Sequence, residues 1–567
     1  MEMFDCCFTC FERGYESSGD EIEDDDAENL SHVGQAAYDV LRKRHNRQHH
    51  TLWNVTSGVV VGELHQTPLT GWLRDVEYPR DGHDDWFPEK MAEIMARTET
   101  WCDVMSLGPP DGLFMTQFQE ALKTIAFRAT GKTKPVVVRM MFGNIVGMPV
   151  NCNKVIKALT ALVPKSANIN LWVGAWRRGV SWNHAKIIAV DGQYLHTGGH
   201  NMWDAHYLKQ NPIHDLSFEL QGRVAHDGHR FANEQWDFIE FKQDTCCGQF
   251  VDKIPDGMPL VAKTRVTVSE FPRGRTAEFP PRYRKSLTPM RDPLPNEVPM
   301  ITVGRFGTIL RHARPADDAF LAMLGSAKTI IRMALQDLGP VCIPGTRIPL
   351  PGCVWPKEYL SVLGRVIWER HVDVEITLSN PNSVPGGLGA IEACYGNGWT
   401  CVDVAAEIIK TIKKQFPQAQ DAALRKCVAD NLRVCFIREK RGHEYDDGAT
   451  MGMHAKHFIV DDVCSYTGSQ NLYICDLAEW GVIVDDPVAT KKMMDEYWTP
   501  MWQVSYTGQD CDVQAVMDGL KINRDGENPV FMSAEQKQQK LKATRLQTHN
   551  PGNSEYYYEG DTEHSSE

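Results

Sequence analysis

The stretch His184-Ala185-Lys186-Ile187-Ile188-Ala189-Val190-Asp191, followed by Gly198-Gly199-His200-Asn201, is a phrase that this chain writes twice. The second copy is His454-Ala455-Lys456-His457-Phe458-Ile459-Val460-Asp461, followed by Gly468-Ser469-Gln470-Asn471. Every matched residue keeps one offset, since 454 − 184 and 471 − 201 both give 270. A register held through two separated patches reads as an internal duplication. Each half then brings a His, a Lys and an Asn to one site.

The apolar runs Ile187–Val190 and Phe458–Val460 predict a strand in each phrase. Residues two apart on a strand share a face, so each His projects with its Lys. Asp191 and Asp461 follow their His at an odd spacing, on the opposite face of a regular strand. Within the catalytic motif they are therefore assigned to holding backbone and turn, not to bond making. Gly198-Gly199 and Gly468-Ser469 read as tight turns, after which Asn201 and Asn471 aim amide N–H groups back at the site.

Two imidazoles, two ammoniums and two amides make a pocket rich in donors and positive charge. It contains neither a carboxylate cluster for Mg²⁺ nor a Cys/His set with zinc spacing, so no metal and no cofactor is expected. Such a pocket suits an anion with several acceptor oxygens, above all a phosphodiester. One neutral His attacks phosphorus and the other, protonated, donates to the leaving oxygen. Lys186, Lys456, Asn201, Asn471 and the backbone at Gly199 and Ser469 bind the phosphate oxygens. The residues alone do not say which His attacks. A nucleophilic His needs an acceptor on its far nitrogen. Asp215, in His214-Asp215-Leu216-Ser217-Phe218, and Glu479, in Ala478-Glu479-Trp480-Gly481-Val482, each open a strand-like run downstream of a motif. Their spacings from the Asn differ (215 − 201 is 14, 479 − 471 is 8), so context more than register assigns them.

The twice-written HxKxxxxD with its GxxN tail resembles the phospholipase D superfamily, and within it the two-domain secreted phospholipases D of bacteria. The resemblance includes Ser181-Trp182-Asn183-His184, Gly199-His200-Asn201-Met202-Trp203, Ala334-Leu335-Gln336-Asp337-Leu338, Leu378-Ser379-Asn380-Pro381 and Gly468-Ser469-Gln470-Asn471-Leu472-Tyr473. It spans roughly residues 50 to 505. It implies His184 as nucleophile and His454 as general acid/base, with Asp215 and Glu479 hydrogen-bonded to them. It also implies the phospholipase D fold: two similar mixed-sheet α/β halves packed as a pseudo-twofold dimer. Gly199-His200 in place of Ser-x in the first tail, and Glu479 where the bacterial relatives often have Asp, depart from the pattern. The activity implied is hydrolysis of glycerophospholipids to phosphatidic acid and free headgroup, with transphosphatidylation to alcohols, through a phosphohistidine. A nucleic-acid phosphodiesterase, a cardiolipin-type phosphatidyltransferase and a catalytically dead lipid-binding protein are the alternatives.

The net charge of −14 is concentrated at the ends. Residues 1–30 hold eleven acids and one Arg, and residues 551–567 hold five acids and no base, which leaves +1 for the body. A near-neutral body lacks the broad basic surface of a duplex binder, so no stable nucleic-acid partner is expected. The expected partner is a phospholipid at a membrane surface, met by a monomer. The N-terminus has no basic and apolar signal pattern, and no apolar run approaches membrane-spanning length. With sixteen scattered cysteines, a cytoplasmic protein with reduced thiols is expected. Acylation of Cys6, Cys7 and Cys10 would add peripheral membrane attachment.

Alternating strand-like and helix-like stretches predict α/β halves with helices on both sheet faces. Residues 1–33 read as a disordered acidic tail, 34–254 as the first half, 255–300 as a Pro-rich basic linker, 301–506 as the second half and 507–567 as a polar tail. The linker holds a basic stretch at Arg282-Tyr283-Arg284-Lys285, read either as a stiff connector or as a basic apron at the site mouth. Pro385–Gly389 and Arg438–Met453 read as loops that shape substrate choice.

Overall fold

The computed structural model describes residues 29–68, 86–145, 149–178, 181–208, 211–244, 264–272, 279–288, 294–306, 314–342, 347–349, 354–384, 398–439, 442, 445, 448–473 and 477–523. Cys6, Cys7 and Cys10, the Pro385–Gly389 loop and the chain beyond 523 lie outside the described residues.

The first half contributes β1 (Trp53–Thr67), β2 (Trp101–Ser106), β3 (Val136–Gly143), β4 (Ile169–Arg178), β5 (Ser181–Trp182), β6 (Ile187–Val190), β7 (Tyr194–Gly198) and β8 (Asp215–Gln221). After β9 (Thr264–Phe271) come β10 (Val298–Phe306), β11 (Ile330–Leu335), β12 (Asp373–Leu378), β13 (Leu432–Phe436), β14 (Lys456–Val460), β15 (Cys464–Gly468) and β16 (Ala478–Val484). All join one mixed sheet in the order β13-β12-β11-β14-β15-β16-β10-β1-β8-β7-β6-β2-β3-β4-β5, with β9 on β4. Read outwards from the β10–β1 pair, both directions give the same succession. A carboxylate-bearing strand (β16, β8) comes first, then the motif hairpin (β15-β14, β7-β6), then parallel strands (β11-β12-β13, β2-β3-β4).

Each motif strand is buried on both faces, which is why it reads as an unbroken apolar run. Ile187 and Ala189 pack with Trp236 and Ile239 of the helix Val224–Asp244, while Ile188 and Val190 pack with Phe114 and Phe118 of the helix Gly112–Ala129. Phe458 and Val460 divide from Ile459 in the same way. Burying one such side chain stabilises the fold by about 1.5–3 kcal/mol, so the motif strands are anchored before any chemistry is considered.

The seam between the halves is β1, a strand interrupted by Gly58 and Gly62. Its first part, Trp53–Gly58, pairs with β10, and the remainder pairs with β8 from Val59 onward, with a register shift between Val61 and His65. Gly62 has φ +63, and a Cβ at Gly58 would lie 2.9 Å from Val224 Cγ1, so the interruptions are required by the bend and the packing.

Part of the 255–300 segment is not a connector. Residues 264–271 form the edge strand β9, and Tyr283 is buried with its backbone N–H donated to Asn233. The basic stretch does not reach the site mouth. Tyr283 bonds His226 beside Gly192, at the end of β6 remote from His184, and Arg282 is ion-paired with Asp237 and Glu234. Beyond 507 the chain is not wholly polar tail, because the helix Val513–Gly519 buries Val516 and Met517. At the N-terminal side the first described helix is His32–Arg44, capped by Ser31, whose hydroxyl also bonds Asp485. Among the described residues no helix is long and apolar enough to cross a membrane.

Candidate active site

His184 and His454 do not lie within their strands. They occupy extended segments just before β6 and β14, and each is hydrogen-bonded to the opposite half. His184 N–H donates to Ala478 C=O at 2.8 Å, and His454 N–H donates to His214 C=O at 2.7 Å. Ala478 and His214 immediately precede Glu479 and Asp215. The two reciprocal bonds therefore carry each acid to the histidine of the other half.

The imidazoles face one another edge to face, with ring centroids 6.4 Å apart, and both are buried. His454 Nδ1 lies 2.8 Å from Asp215 Oδ2 and 3.1 Å from Gly199 C=O. A carbonyl only accepts, so Nδ1 carries the hydrogen and Nε2 is left for chemistry. His184 Nδ1 stands 2.9 Å from Glu479 Oε1, a close contact off the line of a linear hydrogen bond.

Lys186 Nζ donates to His184 C=O at 2.7 Å, and Lys456 Nζ donates to His454 C=O. Both lysines are buried. Burial, and then the neighbouring Lys456, lowers Lys186 well below the ordinary amine range, and burial takes Lys456 down to about 7. Burial and the two lysines hold His184 far below its usual value, with Arg305 adding to the effect. Burial and Lys456 take His454 to about 3 against the pull of Asp215. For Asp215, burial pushes upward but is outweighed by His200, His454 and Lys456, so its carboxyl stays below the usual range. Burial raises Glu479, opposed by Arg305 and Lys186. The site thus gathers two lysines and two histidines in a buried cluster where burial disfavours their charged forms and an anion would restore them.

Asp191 and Asp461 take no part in this cluster. Each sits in the turn after its motif strand with φ +52 and +53, a conformation that Asp tolerates. The Asp191 carboxylate accepts the backbone N–H groups of Glu99, Thr100 and Trp101, and Asp461 accepts those of Lys328, Thr329 and Ile330. They pin the starts of β2 and β11. Asn201 is buried with neither amide atom hydrogen-bonded among the described residues, a costly arrangement unless a ligand or water takes them. Asn471 is buried at the matching position. The backbone N–H groups of Gly199 and Ser469, expected to bind phosphate, instead donate to Leu216 C=O at 2.9 Å and Trp480 C=O at 3.0 Å, and Ser469 Oγ accepts from Trp480 N–H at 3.0 Å. In the first half that role passes to Asp215 itself, whose Oδ1 accepts from Leu216 N–H, and a Cβ at Gly199 would lie 2.0 Å from that oxygen.

Several site residues have no signature in the repeat. Tyr207 donates its hydroxyl to Asp215 at 2.9 Å and accepts Asn201 N–H. It lies on the short helix Asp204–Tyr207, within the longer first-half spacing between the Asn and the acid. His206 has its ring 6.4 Å from that of His454. His200 bonds Thr67 and Ser217 and packs on Phe87, so it braces the sheet behind the site. Arg305, on β10, bonds Glu479.

No protein-family model matches the chain. It is 23% identical over 460 residues to a phospholipase D of Streptomyces antibioticus, covering 74% of this chain and 76% of that one. Among solved structures, a phosphatidylserine synthase of Haemophilus influenzae Rd KW20 is similar at 12% identity and TM-score 0.44, over 90% of this chain and 99% of that one. A phospholipase D family member, Nuc, of Salmonella typhimurium is similar at 16% identity and TM-score 0.19, over 33% and 86%. The match to the Streptomyces protein is longer than either half of the duplication. Taken with a motif written twice in register, it supports placing the chain in the phospholipase D superfamily.

Proposed function

We propose that this protein is a metal-independent phospholipase D, cleaving glycerophospholipids to phosphatidic acid and free headgroup and passing the phosphatidyl group to alcohols when they outcompete water. The observation that carries the reading is the edge-to-face pair of buried imidazoles at 6.4 Å, each backed by a carboxylate of the other half. That spacing suits one phosphorus held between two Nε2 atoms. The palindromic strand order supports a pseudo-twofold relation of the halves about the β10–β1 seam.

In the first step Nε2 of neutral His184 forms a bond to phosphorus as the bond from phosphorus to the headgroup oxygen breaks. His454, protonated on Nε2, gives that proton to the leaving oxygen. In the second, His454 takes a proton from water or an alcohol, whose oxygen attacks phosphorus and releases His184. Lys186, Lys456, Asn201 and Asn471 hold the equatorial oxygens through a loose transition state. The low affinity of His454 for a proton comes from its burial and from Lys456 and Lys186 beside it. A bound phosphodiester anion opposes that field and favours the imidazolium.

Phosphatidylcholine incubated with ethanol and EDTA is expected to yield phosphatidylethanol and free choline. Cleavage of single-stranded oligonucleotide with no action on vesicles would replace this reading with a nucleic-acid phosphodiesterase, and strict dependence on added divalent metal would refute the proposed mechanism.

A further inference from the structure

The motifs repeat, but the acids behind their histidines sit in different electrostatic surroundings. Asp215 is held by neutral donors, Tyr207 O–H and Leu216 N–H, each at 2.9 Å, and its ion pair among the described residues is with His454. Glu479 has a guanidinium on it. Arg305 Nη2 lies 2.5 Å from Oε2, which leaves Oε1 for His184. The Arg305 side chain is 5% exposed, so water screens this pair little. Its second acid, Asp317, is farther at 3.3 Å and is already bound by Tyr359 O–H and by Gln470. A buried guanidinium at hydrogen-bond distance cancels much of the charge that a carboxylate would otherwise show an imidazole.

We propose that Arg305 is a positioning residue that decides which histidine attacks: by neutralising Glu479 it keeps His184 unprotonated, while Asp215, with no guanidinium on it, keeps its charge for the proton on His454. This inference rests on the two-histidine reading given above.

The groups facing His184 are Lys186, Lys456, Glu479, Arg305 and His454, and those facing Glu479 are His184, Arg305, Lys186, Lys456 and Tyr466. Lys186 and Lys456 lower both histidines, so they do not distinguish them. Arg305 acts on His184, and Asp215 draws the proton towards His454. The asymmetry therefore lies with the acids and their partners. It has no trace in the motif itself, because Arg305 comes from β10, far from Glu479 in sequence.

The test is an NMR titration of full-length protein with labelled histidine, the His184 signal being assigned by its loss in His184→Asn. In Arg305→Met the His184–Glu479 pair is expected to take up its proton roughly one to three pH units higher than in the wild type. Arg305→Lys, which keeps the cation, should titrate close to the wild type, and His454 should not move in either variant. The acid limb of kcat/KM should shift upward with the pair. If Arg305→Met does not fold, Arg305→Gln keeps a donor on Glu479 and should shift in the same direction by less. An unmoved His184, an equal shift in the Lys variant, or a shift confined to His454 overturns the proposal. A wild-type protein that cleaves no phosphodiester defeats the proposed function, and the titration still decides the role of Arg305.

Discussion

Glu479 of the second half stands 2.9 Å from His184 of the first. Asp215 returns the arrangement to His454, so neither half holds a complete His–carboxylate pair. The two acids should nonetheless differ in weight, since among the described residues no guanidinium pairs with Asp215 where it faces His454. Asp215→Asn is expected to lower kcat by about 10³–10⁴-fold, as an amide misplaces the proton on the ring. Glu479→Gln should cost less, because Arg305 already offsets the charge removed. Choline release from phosphatidylcholine measures both, and equal losses would contradict the asymmetry.

The two histidines can be separated by leaving group. With a phosphatidyl ester of p-nitrophenol the first step needs no general acid. His454→Asn is then expected to release one equivalent of nitrophenolate in a burst and stall as phosphatidyl-His184, trapped at neutral or alkaline pH. His184→Asn should show neither burst nor adduct. A burst in the His184 variant would reverse the assignment.

Asp191 and Asp461 act on stability. Each satisfies three backbone N–H groups at the start of a buried strand. Leaving such donors unpaired costs about 1–3 kcal/mol, so Asp191→Ala is expected to lose at least that in denaturant unfolding, and Asp191→Asn, which keeps an acceptor, less. Asp461 also carries a pH signature. Burial raises its carboxyl, but His32, Thr329 and the backbone donors outweigh burial and hold it below the usual carboxylate range. A folded-state value below the unfolded one gives stability that is full above the unfolded value of about 3.9 and is lost as pH falls through the folded value. Asp461→Asn should remove that acid-side slope.

Gly199 marks where the repeat is broken on purpose. A Cβ there would lie 2.0 Å from Asp215 Oδ1, whereas the matching Ser469 accommodates Glu479 while accepting Trp480 N–H. Gly199→Ser is therefore expected to push Asp215 off His454 and lower kcat by roughly as much as losing the carboxylate, about 10³-fold or more. Ser469→Ala should cost only about 1 kcal/mol of stability. Thermal unfolding beside kcat separates the two effects. A Gly199→Ser variant with near-wild-type kcat would show that Asp215 tolerates the added side chain.

The same residues show why part of the site is legible in sequence. His184, Lys186, Asn201 and their counterparts stand out because duplication preserved their spacing, and the strands β6 and β14 because burial on both faces leaves an apolar run. The crossing of acids between halves leaves no such mark. It depends on β1, which passes from β10 to β8 after Gly58 and has no regular alternation to betray it. Arg305 and Tyr207 are single residues, each serving one half, so no register points to them.

Tyr207 offers the last test. The first half spaces its Asn and acid six residues farther apart than the second (14 against 8), and that longer segment carries the helix Asp204–Tyr207. Its Tyr207 hydroxyl donates to Asp215 and accepts from Asn201 N–H, tying the carboxylate behind His454 to the Asn that faces the phosphate. Tyr207→Phe removes both bonds with little change of volume. A bond to a charged acceptor contributes about 1.5–3 kcal/mol, so the loss should appear as roughly a 10–100-fold drop in kcat/KM. Asp215 would also be freer to rotate, so His454 should hold its proton less well and the alkaline limb of the pH profile should move down. A purely structural Tyr207 would lower Tm and leave that limb in place.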